Sequence, residues 1–274
     1  MSHNLIHLRS KMFNNPLCIW PTKFMDIARV VGDRMELEVP EAQMITGPSR
    51  SCHGFMAGDT GTAVISIIGT LVNRGAFIGP SSGLVSYEGI RAQIRSIAND
   101  PRVHTVVLDI DSCGGEAAGL ADTAAALADL DKRKVAFVDN KALSAAYWLA
   151  SACDEVWITN DSLVGSIGAI AVHFEQTVRD EQEGDTFTIF ASGSRKSDFS
   201  PHLKLASEAA DWLQAMITES ANEFIEAVAS SRELDAGDVR GTQAALFKGR
   251  TALAFGLADR IVSADEAITR ITEG

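Results

Sequence analysis

From Thr62 onward, the apolar positions of the chain switch repeatedly between two kinds of pattern. Short continuous stretches rich in Val and Ile, bounded by Gly, Pro or charged residues, are typical of strands buried on both faces of a sheet. Six such stretches predict strands, at residues 62–72, 103–111, 134–140, 155–159, 168–174 and 185–190.

Between these strands, apolar residues recur at helical spacing. Ile90, Ile94 and Ile97 lie at positions i, i+4 and i+7, which predicts a helix after the first strand. The Ala-rich stretch 116–134 combines strong helix formers with a basic end that suits the helix dipole. Because strands and helices alternate, we expect an α/β fold with a mostly parallel sheet.

A long amphipathic helix is predicted at residues 204–232. Its apolar stripe indicates either core packing or a subunit interface, and a ligand groove is the minor alternative. The stripe consists of Trp212, Leu213, Met216, Ile217, Ala221, Phe224, Ile225 and Val228.

The first 60 residues have a less regular pattern, in which short apolar pieces alternate with Pro, Gly and Asn. We interpret residues 1–60 as an N-terminal extension with one helix near Phe24–Val31, followed by a single domain at residues 61–274.

Composition narrows the possible environments and partners. The formal net charge of -12 argues against a nucleic-acid partner, because such proteins depend on clustered Lys and Arg. The four cysteines have neither metal-site spacing nor the density of a disulfide scaffold, so neither a metal nor a cofactor is expected. The longest apolar run is too short to span a bilayer, and the N-terminus lacks a signal peptide's apolar core. These features predict a cytoplasmic protein with no membrane partner.

Two glycines, Gly114 and Gly115, follow the predicted strand at 103–111. At a strand-to-helix junction, consecutive glycines allow a sharp turn that exposes backbone N–H groups, as an oxyanion hole requires. A tight turn that merely needs positive φ explains the same pair equally well.

Ser144 follows the strand at 134–140 and precedes a run of small and aromatic residues. It is either a nucleophile or the N-cap of a helix, since Ser is a preferred capping residue. The carboxyl ends of neighbouring parallel strands form ligand sites, and the glycine pair and Ser144 both lie at such ends. Their combination favours the catalytic interpretation.

A nucleophilic serine needs a base. Among the six histidines, only His173 lies in a predicted strand downstream of Ser144. Lys196, in the Gly/Ser-rich stretch 192–201, is the other choice, provided that its surroundings lower its pKa. From spacing alone, a solvated loop lysine is the simpler interpretation.

Four motifs follow one another along the chain: "DSCGG" (111–115), "SAAYWLAS" (144–151), "GSIGAI" (165–170) and "SGSRKSDFSP" (192–201). Together with the closing "FKGRTALAFGLADRIVS", they resemble the signal peptide peptidase A family of serine proteases, within the broader ClpP/crotonase superfamily. The resemblance covers about residues 62–261 and implies a ClpP/crotonase-like fold of repeated β-β-α units.

Position by position, the resemblance implies that Ser144 is the nucleophile and Lys196 its general base. The backbone amides of Gly114 or Gly115, together with that of Ala145, would bind the oxyanion, and Ser166 would help to orient the lysine. The sequence departs from the family pattern at three positions without removing a catalytic group: Cys113 in place of Pro, and Ala145 and Ala146 in place of Gly. A buried inert thiol is expected at Cys113.

The N-terminal stretch resembles the extension of head maturation proteases of tailed phages. That branch implies protein substrates (scaffold, capsid or portal proteins), a homo-oligomer, and action inside an assembling procapsid in the host cytoplasm. Because the chain ends soon after the protease domain, we expect that a fused scaffold segment is absent or was removed. The alternatives are a host-type signal peptide peptidase A-like protease, a crotonase-like acyl-thioester enzyme, a ClpP-like protease with His173 as base, and a catalytically silent capsid-assembly homologue.

Overall fold

The computed structural model describes residues 11–36, 55–56, 60–74 and 83–273. Most of the predicted N-terminal extension, at residues 1–10, 37–54 and 57–59, lies outside the described residues. The helix expected at Phe24–Val31 is confirmed and is longer than predicted, as α1 (Pro21–Glu36).

The strands and helices follow one another in an α/β order. The strands are β1 (Leu17–Ile19), β2 (Phe55–Met56), β3 (Thr62–Ile68), β4 (Thr70–Val72), β5 (Leu84–Ser86), β6 (Thr105–Ser112), β7 (Gly114–Glu116), β8 (Arg133–Leu143), β9 (Glu155–Ile158), β10 (Leu163–Gly165), β11 (Leu246–Lys248) and β12 (Arg260–Ile261). The helices after α1 are α2 (Tyr87–Ala98), α3 (Leu120–Ala128), α4 (Ala145–Ser151), α5 (Thr177–Glu183), α6 (Ser207–Arg232), α7 (Ala236–Gly241), α8 (Arg250–Phe255) and α9 (Ala264–Glu273), with a 3₁₀ turn at Ser194–Ser197.

The main sheet has the strand order β11-β10-β8-β6-β3-β2, and β9 and β12 continue it beside the first half of β8. The pairs β3–β6, β6–β8, β8–β9, β8–β10 and β9–β12 are parallel, whereas β2 and β11 run antiparallel at the edges. The predicted α/β class with a mostly parallel sheet is therefore confirmed.

Strand β8 has two neighbours on one side. Its residues Val135–Val138 pair with β9, and its residues Lys141–Leu143 pair with β10. Consequently β6, β8 and β10 all end at the same edge of the sheet, where parallel α/β proteins place their ligand sites. Helix α4 begins directly at that edge.

A second, smaller sheet lies over this edge, with the order β1-β7-β4-β5. The stretch predicted as one strand at 62–72 divides at Gly69, whose φ of 113° turns the chain out of β3 and into β4. A methyl group on Gly69 would overlap the backbone of Gly83, so only glycine fits at this close approach.

The helix predicted at 116–134 is shorter than expected. Gly114–Glu116 extend the chain as β7 in the small sheet, so that α3 starts only at Leu120. Because α3 ends at Ala128, no basic residue lies in its last turn, and the predicted basic end is wrong.

Two predicted helices are confirmed: α2, which contains Ile90, and α6, which carries the apolar stripe predicted at residues 204–232. Ile90, Ile94 and Ile97 of α2 are buried in the main core. In α6, the stripe is buried at Leu213, Phe224, Ile225 and Val228, whereas Trp212 is 48% exposed. Phe224 stacks on Trp148 of α4 with ring centroids 4.8 Å apart, which joins α6 to the helix that follows Ser144.

Two predicted strands do not form. The stretch 168–174 contributes a single bridge between Ile170 and Leu17, and the stretch 185–190 has no strand assignment. Their β-branched and aromatic residues suit a sheet, but strand formation also needs a partner strand on which to pack. Every residue of the stretch 185–190 is exposed to solvent.

Candidate active site

Ser144 is held in a sharp turn between strand β8 and helix α4. Its backbone has φ 55° and ψ -124°, a positive-φ conformation that is uncommon for a residue other than glycine. Its N–H donates to the Gly165 carbonyl (2.8 Å), and its carbonyl accepts from Tyr147 N (2.8 Å). A strained strand-to-helix turn of this kind is how α/β hydrolases present a nucleophilic serine.

The side chain of Ser144 does not cap α4 by a hydrogen bond. Its hydroxyl instead lies 3.5 Å from the carbonyl oxygen of Gly168, in the segment that follows β10. The capping explanation for Ser144 is therefore wrong in its usual form. The residue is 1% exposed, so its hydroxyl is well shielded in the single chain.

The two glycines of β7 have different surroundings. Gly114 has a φ of 88°, and its N–H donates to the Ser112 hydroxyl (3.1 Å), which in turn donates to the Gly69 carbonyl (2.6 Å). Gly115 lies between β1 and β4, and a methyl group there would overlap the carbonyl oxygen of Leu71. Close backbone approach thus requires glycine at both positions.

The turn at Gly114 lies directly against the start of α4. A methyl group built on Gly114 would lie 2.9 Å from the Leu143 carbonyl oxygen and 3.0 Å from the Ala145 nitrogen. Ala145 is buried, and none of the described residues accepts a hydrogen bond from its N–H. Buried N–H groups without a partner are rare in proteins, and this donor directly follows the candidate nucleophile in the chain.

Ser166 follows β10 at the neighbouring strand end. It is 6% exposed, adopts a φ of 55°, and donates its N–H to the Ala245 carbonyl (3.0 Å). Two serines with positive φ, Ser144 and Ser166, thus lie at adjacent strand ends. Within the described part of the chain, no hydrogen bond joins Ser166 to Lys196.

Lys196 occupies the 3₁₀ turn at Ser194–Ser197, in the long segment between β10 and α6. Its side chain is exposed, and among the described residues neither a hydrogen bond nor an ion pair links it to Ser144. Close backbone approaches thus connect the predicted nucleophile turn with the predicted oxyanion residues. None of the described hydrogen bonds joins Lys196 to them.

His173, the alternative base, contacts a different part of the molecule. Its Nδ1 lies 3.0 Å from Asn14 Oδ1, and its ring lies beside that of Phe199. Among the described residues, no hydrogen bond connects His173 to Ser144. The geometry gives a ClpP-like Ser–His pair no support.

Cys113 is 7% exposed, and burial raises the pKa of its thiol above the ordinary value for cysteine. A raised pKa keeps the thiol protonated near neutral pH and thus poorly nucleophilic. The expectation of an inert thiol beside the glycine pair fits this environment.

Sequence reasoning missed the contribution of the N-terminal extension to this edge. Strand β1 pairs with β7 in antiparallel register, with Cys18 opposite Gly115. The only local signal was the short apolar run Leu17–Ile19 between two prolines, Pro16 and Pro21. A cavity of about 530 Å³ lies beside β1 and β7, and its lining includes Cys18, Glu116, Trp148, Met216 and Glu223.

Comparison with known proteins identifies the family. The model of peptidase family S49 matches residues 126–274, which contain the Ser144 turn, Ser166 and Lys196. The chain belongs to peptidase family S49. The expected resemblance to signal peptide peptidase A-like proteases is thereby confirmed.

Several curated proteins are similar to this family S49 chain. The head-tail preconnector protein GP5 of Enterobacteria phage P21 is 34% identical over 98% of the chain and 57% of its own length. Capsid assembly protease C of Escherichia phage lambda is 31% identical over 97% of the chain and 65% of its own length. A candidate signal peptide peptidase SppA of Enterococcus faecium is 26% identical over 74% of the chain and 60% of its own length. The chain thus spans less than two thirds of each of these relatives.

The similarity to the two phage proteins extends over 98% and 97% of the chain, whereas the similarity to the bacterial protein covers 74% of it. The predicted resemblance of the chain to phage proteins is therefore confirmed.

Among the described residues, the structure contains no helix with the length and apolar composition of a membrane span.

Proposed function

We propose that the chain is a serine endopeptidase with a Ser144–Lys196 dyad. In this proposal it cleaves scaffold, capsid or portal proteins inside an assembling phage procapsid, in the host cytoplasm. The backbone of Ser144 carries the proposal, because a φ of 55° at a buried non-glycine residue is costly and such strain clusters at active sites.

The oxyanion hole in this proposal consists of the Gly115 and Ala145 amides. The Gly114 amide is a poorer donor for a substrate, since it already donates to the Ser112 hydroxyl. Ala145 N–H lacks an acceptor among the described residues, and Gly115 lies in β7 opposite Cys18 of β1. Two fixed backbone donors of this kind typically accelerate acyl transfer by about 100-fold or more.

Each step of the proposed reaction follows from these positions. Ser144 Oγ attacks the scissile carbonyl carbon while Lys196, in its neutral form, takes the hydroxyl proton. The tetrahedral oxyanion is stabilised by the two amides, and Lys196 returns the proton to the leaving amine as the peptide bond breaks. Water, deprotonated by Lys196, then hydrolyses the acyl ester and regenerates Ser144.

The position of Lys196 supports assembly as part of the proposed function. The segment that carries it also presents Phe187, Ile189 and Phe190 to solvent, with Phe190 93% exposed. Exposed apolar clusters of this kind mark interaction surfaces. We place this segment against a second copy of the chain, so that assembly buries the apolar residues and brings Lys196 beside a Ser144 hydroxyl.

The proposed partners follow from the relatives and from charge. Two phage relatives are named for head-tail connection and capsid assembly, which favours virion proteins as substrates. The net charge of -12 disfavours nucleic acid as a partner. Residues 1–60 as an extension and 61–274 as the protease domain remain part of the proposal, although β1 of the extension pairs with the domain.

The dyad is tested by incubating the purified chain with the capsid, scaffold and portal proteins of its own phage and mapping cleavages by mass spectrometry. Ser144→Ala and Lys196→Ala should each lower cleavage at least about 1,000-fold, because nucleophile and base act as a unit. Matched controls are Ser230→Ala and Lys204→Ala, which replace exposed residues of the same types. Cleavage that survives Lys196→Ala but not His173→Ala would contradict the lysine assignment, and no cleavage by any form would favour a silent homologue.

Mixing the two inactive variants tests the assembly step. If Lys196 of one copy serves Ser144 of another, co-assembled Ser144→Ala and Lys196→Ala chains should recover a fraction of the parental rate. A mixture as inactive as its components, despite mixed oligomers by native mass spectrometry, would place both groups in one chain.

A further inference from the structure

Strand β1 lies on the two backbone edges that flank the Ser144 turn. On one side it pairs with β7 in antiparallel register. On the other side Leu17 N donates to Ile170 O (2.8 Å) and Ile170 N donates to Leu17 O (2.9 Å). Three residues earlier, Asn14 N donates to Val172 O (3.0 Å). The N-terminal strand therefore fills the space between β7 and the segment that follows β10.

The register places a carbonyl of β1 at a proposed oxyanion donor. Hydrogen-bonded pairs recur at every second residue of an antiparallel ladder. Trp20 N donates to Cys113 O (2.9 Å), and the Cys18–Gly115 pair lies two residues further along the same register. Cys18 and Gly115 therefore form a hydrogen-bonded pair, in which the Gly115 amide donates to the Cys18 carbonyl.

The Cys18 carbonyl also lies close to the remaining parts of the site. A methyl group built on Gly114 would overlap the Cys18 carbonyl oxygen, and the same methyl group would lie 3.0 Å from Ala145 N. The carbonyl thus approaches the glycine turn from the side on which the start of α4 lies. A substrate carbonyl must reach this place to be attacked by Ser144.

Side chains hold β1 in this position. Leu17 and Ile19 are buried in a small cluster with Phe24 of α1, and Cys18 is 1% exposed in the main core. Lys11 forms an ion pair with Glu116 of β7 (3.0 Å). The segment is anchored on both sides of Cys18, so it is an integral part of the described fold.

We propose that residues Asn14–Trp20 act as an intramolecular pseudosubstrate, which occupies the peptide-binding channel and must be displaced before a protein substrate can bind. This inference rests on the proposed function. An extended peptide binds between two open strand edges by main-chain hydrogen bonds. In the described chain both edges are satisfied by β1, so an incoming peptide has to compete with it.

The anchoring explains why β1 inhibits rather than being consumed. If Ser144 attacked the Cys18 carbonyl, the Cys18–Ile19 bond would break and Ile19 would become the new amine. That amine would remain beside the ester, because Trp20 N donates a hydrogen bond to Cys113 O and α1 continues the chain from Pro21. Held at high effective concentration, the amine re-forms the peptide bond before water enters.

Displacement should be visible as a change in apparent substrate affinity. Leu17→Pro and Cys18→Pro each remove one N–H that β1 uses in pairing, Leu17 N toward Ile170 and Cys18 N toward Gly115. When only a fraction of molecules has an open channel, the apparent affinity falls by that fraction. We expect either variant of the full chain to show a KM at least about tenfold lower on the same virion substrate, with kcat nearly unchanged.

The matched control is Met25→Ala, which alters an exposed residue of α1 outside the channel and should leave KM unchanged. Circular dichroism and thermal unfolding identify any variant that fails to fold. A synthetic peptide with the sequence Asn14–Trp20 should inhibit the Leu17→Pro variant competitively, whereas a scrambled peptide should not. This peptide arm keeps the test decisive if one proline variant is unstable.

The outcomes separate this inference from the proposed function. An active parent whose folded proline variants keep the parental KM, and are not inhibited by the peptide, would overturn the pseudosubstrate alone. A mature N-terminus at Ile19, found by mass spectrometry, would overturn it by making β1 a cleaved substrate. Parent and variants that all leave every virion protein intact would overturn both proposals.

Discussion

The two halves of the proposed dyad lie in regions of opposite character. Ser144 lies at the end of β8, beside the ends of the parallel strands β6 and β10, and is 1% exposed. Lys196 lies in a segment of little regular structure, near the 93%-exposed Phe190. The first region is held in place by strand pairing and core contacts, whereas the second is held by side-chain contacts such as those of Phe199 with His173 and Trp212.

This difference separates the two parts of the proposed site. A strained backbone at Ser144 persists only because the surrounding structure determines it fully. The lysine segment contains a positive-φ residue of its own, Phe199 with φ 62°. In the proposed function, assembly supplies the final position of the exposed Lys196. The nucleophile region should therefore respond to substitution through stability, and the lysine region through assembly and activity.

Replacing one phenylalanine in each region should show the largest contrast in stability. Phe224→Ala removes a fully buried ring that stacks on Trp148, and should lower the free energy of unfolding by about 3–5 kcal/mol. Phe190→Ala removes a ring that is 93% exposed, and should change it by about 0.5 kcal/mol or less. Urea unfolding under conditions that keep the chain monomeric measures both. Equal losses would show that the lysine segment is packed as firmly as the core.

A glycine pair gives a second, smaller contrast. Gly115→Ala forces a methyl group onto the Leu71 carbonyl, which should cost about 1–3 kcal/mol and also disturb the proposed oxyanion hole. Gly193→Ala, beside the lysine turn, meets no atom within 4 Å and has an extended φ of -147°. The second variant should retain parental stability in thermal unfolding. A Gly193→Ala chain as unstable as Gly115→Ala would contradict the open surroundings of the lysine turn.

Two glutamates, Glu155 and Glu175, allow the pH dependence of stability to be compared. Glu155 is partly desolvated, but hydrogen bonds from Trp157, Arg133 and Arg260 outweigh that cost and lower the pKa of its carboxyl to about 2. Because the folded-state pKa is depressed, the stabilisation is present above the unfolded-state pKa and is lost as the pH falls from about 5 toward 2.

The measurement compares unfolding free energies of the parent and Glu155→Gln from pH 7 to pH 2. The variant should be about 1 kcal/mol less stable at neutral pH, since the group is near the surface, and the gap should close in acid. Glu175→Gln is the comparison in the lysine segment, where a hydrogen bond from Thr177 Oγ1 (2.7 Å) also lowers the pKa of the exposed carboxyl. Its smaller stability gap should close in acid in the same direction. A gap for Glu155→Gln that is independent of pH would show that the ion pairs contribute nothing.

Elements with strong periodicity could be predicted from the sequence. The parallel strands β6 and β8 and the helices α2 and α6 formed where the apolar pattern placed them. The strands expected at 168–174 and 185–190 did not form, because β-propensity alone cannot supply a neighbouring strand. The short strand β7 was hidden inside a predicted helix, since its glycines pair with distant residues.

By itself the sequence determined which residues could carry the chemistry. The spacing of apolar runs placed Ser144 and the glycine pair at adjacent strand ends, since the carboxyl ends of parallel strands share one edge. Only the tertiary structure decided how these groups are used. The strained turn at Ser144, the difference between the Gly114 and Gly115 amides, and the pairing of β1 with β7 depend on contacts between residues far apart in the chain. Local periodicity carries no information about such contacts, because they arise when separate segments pack against one another.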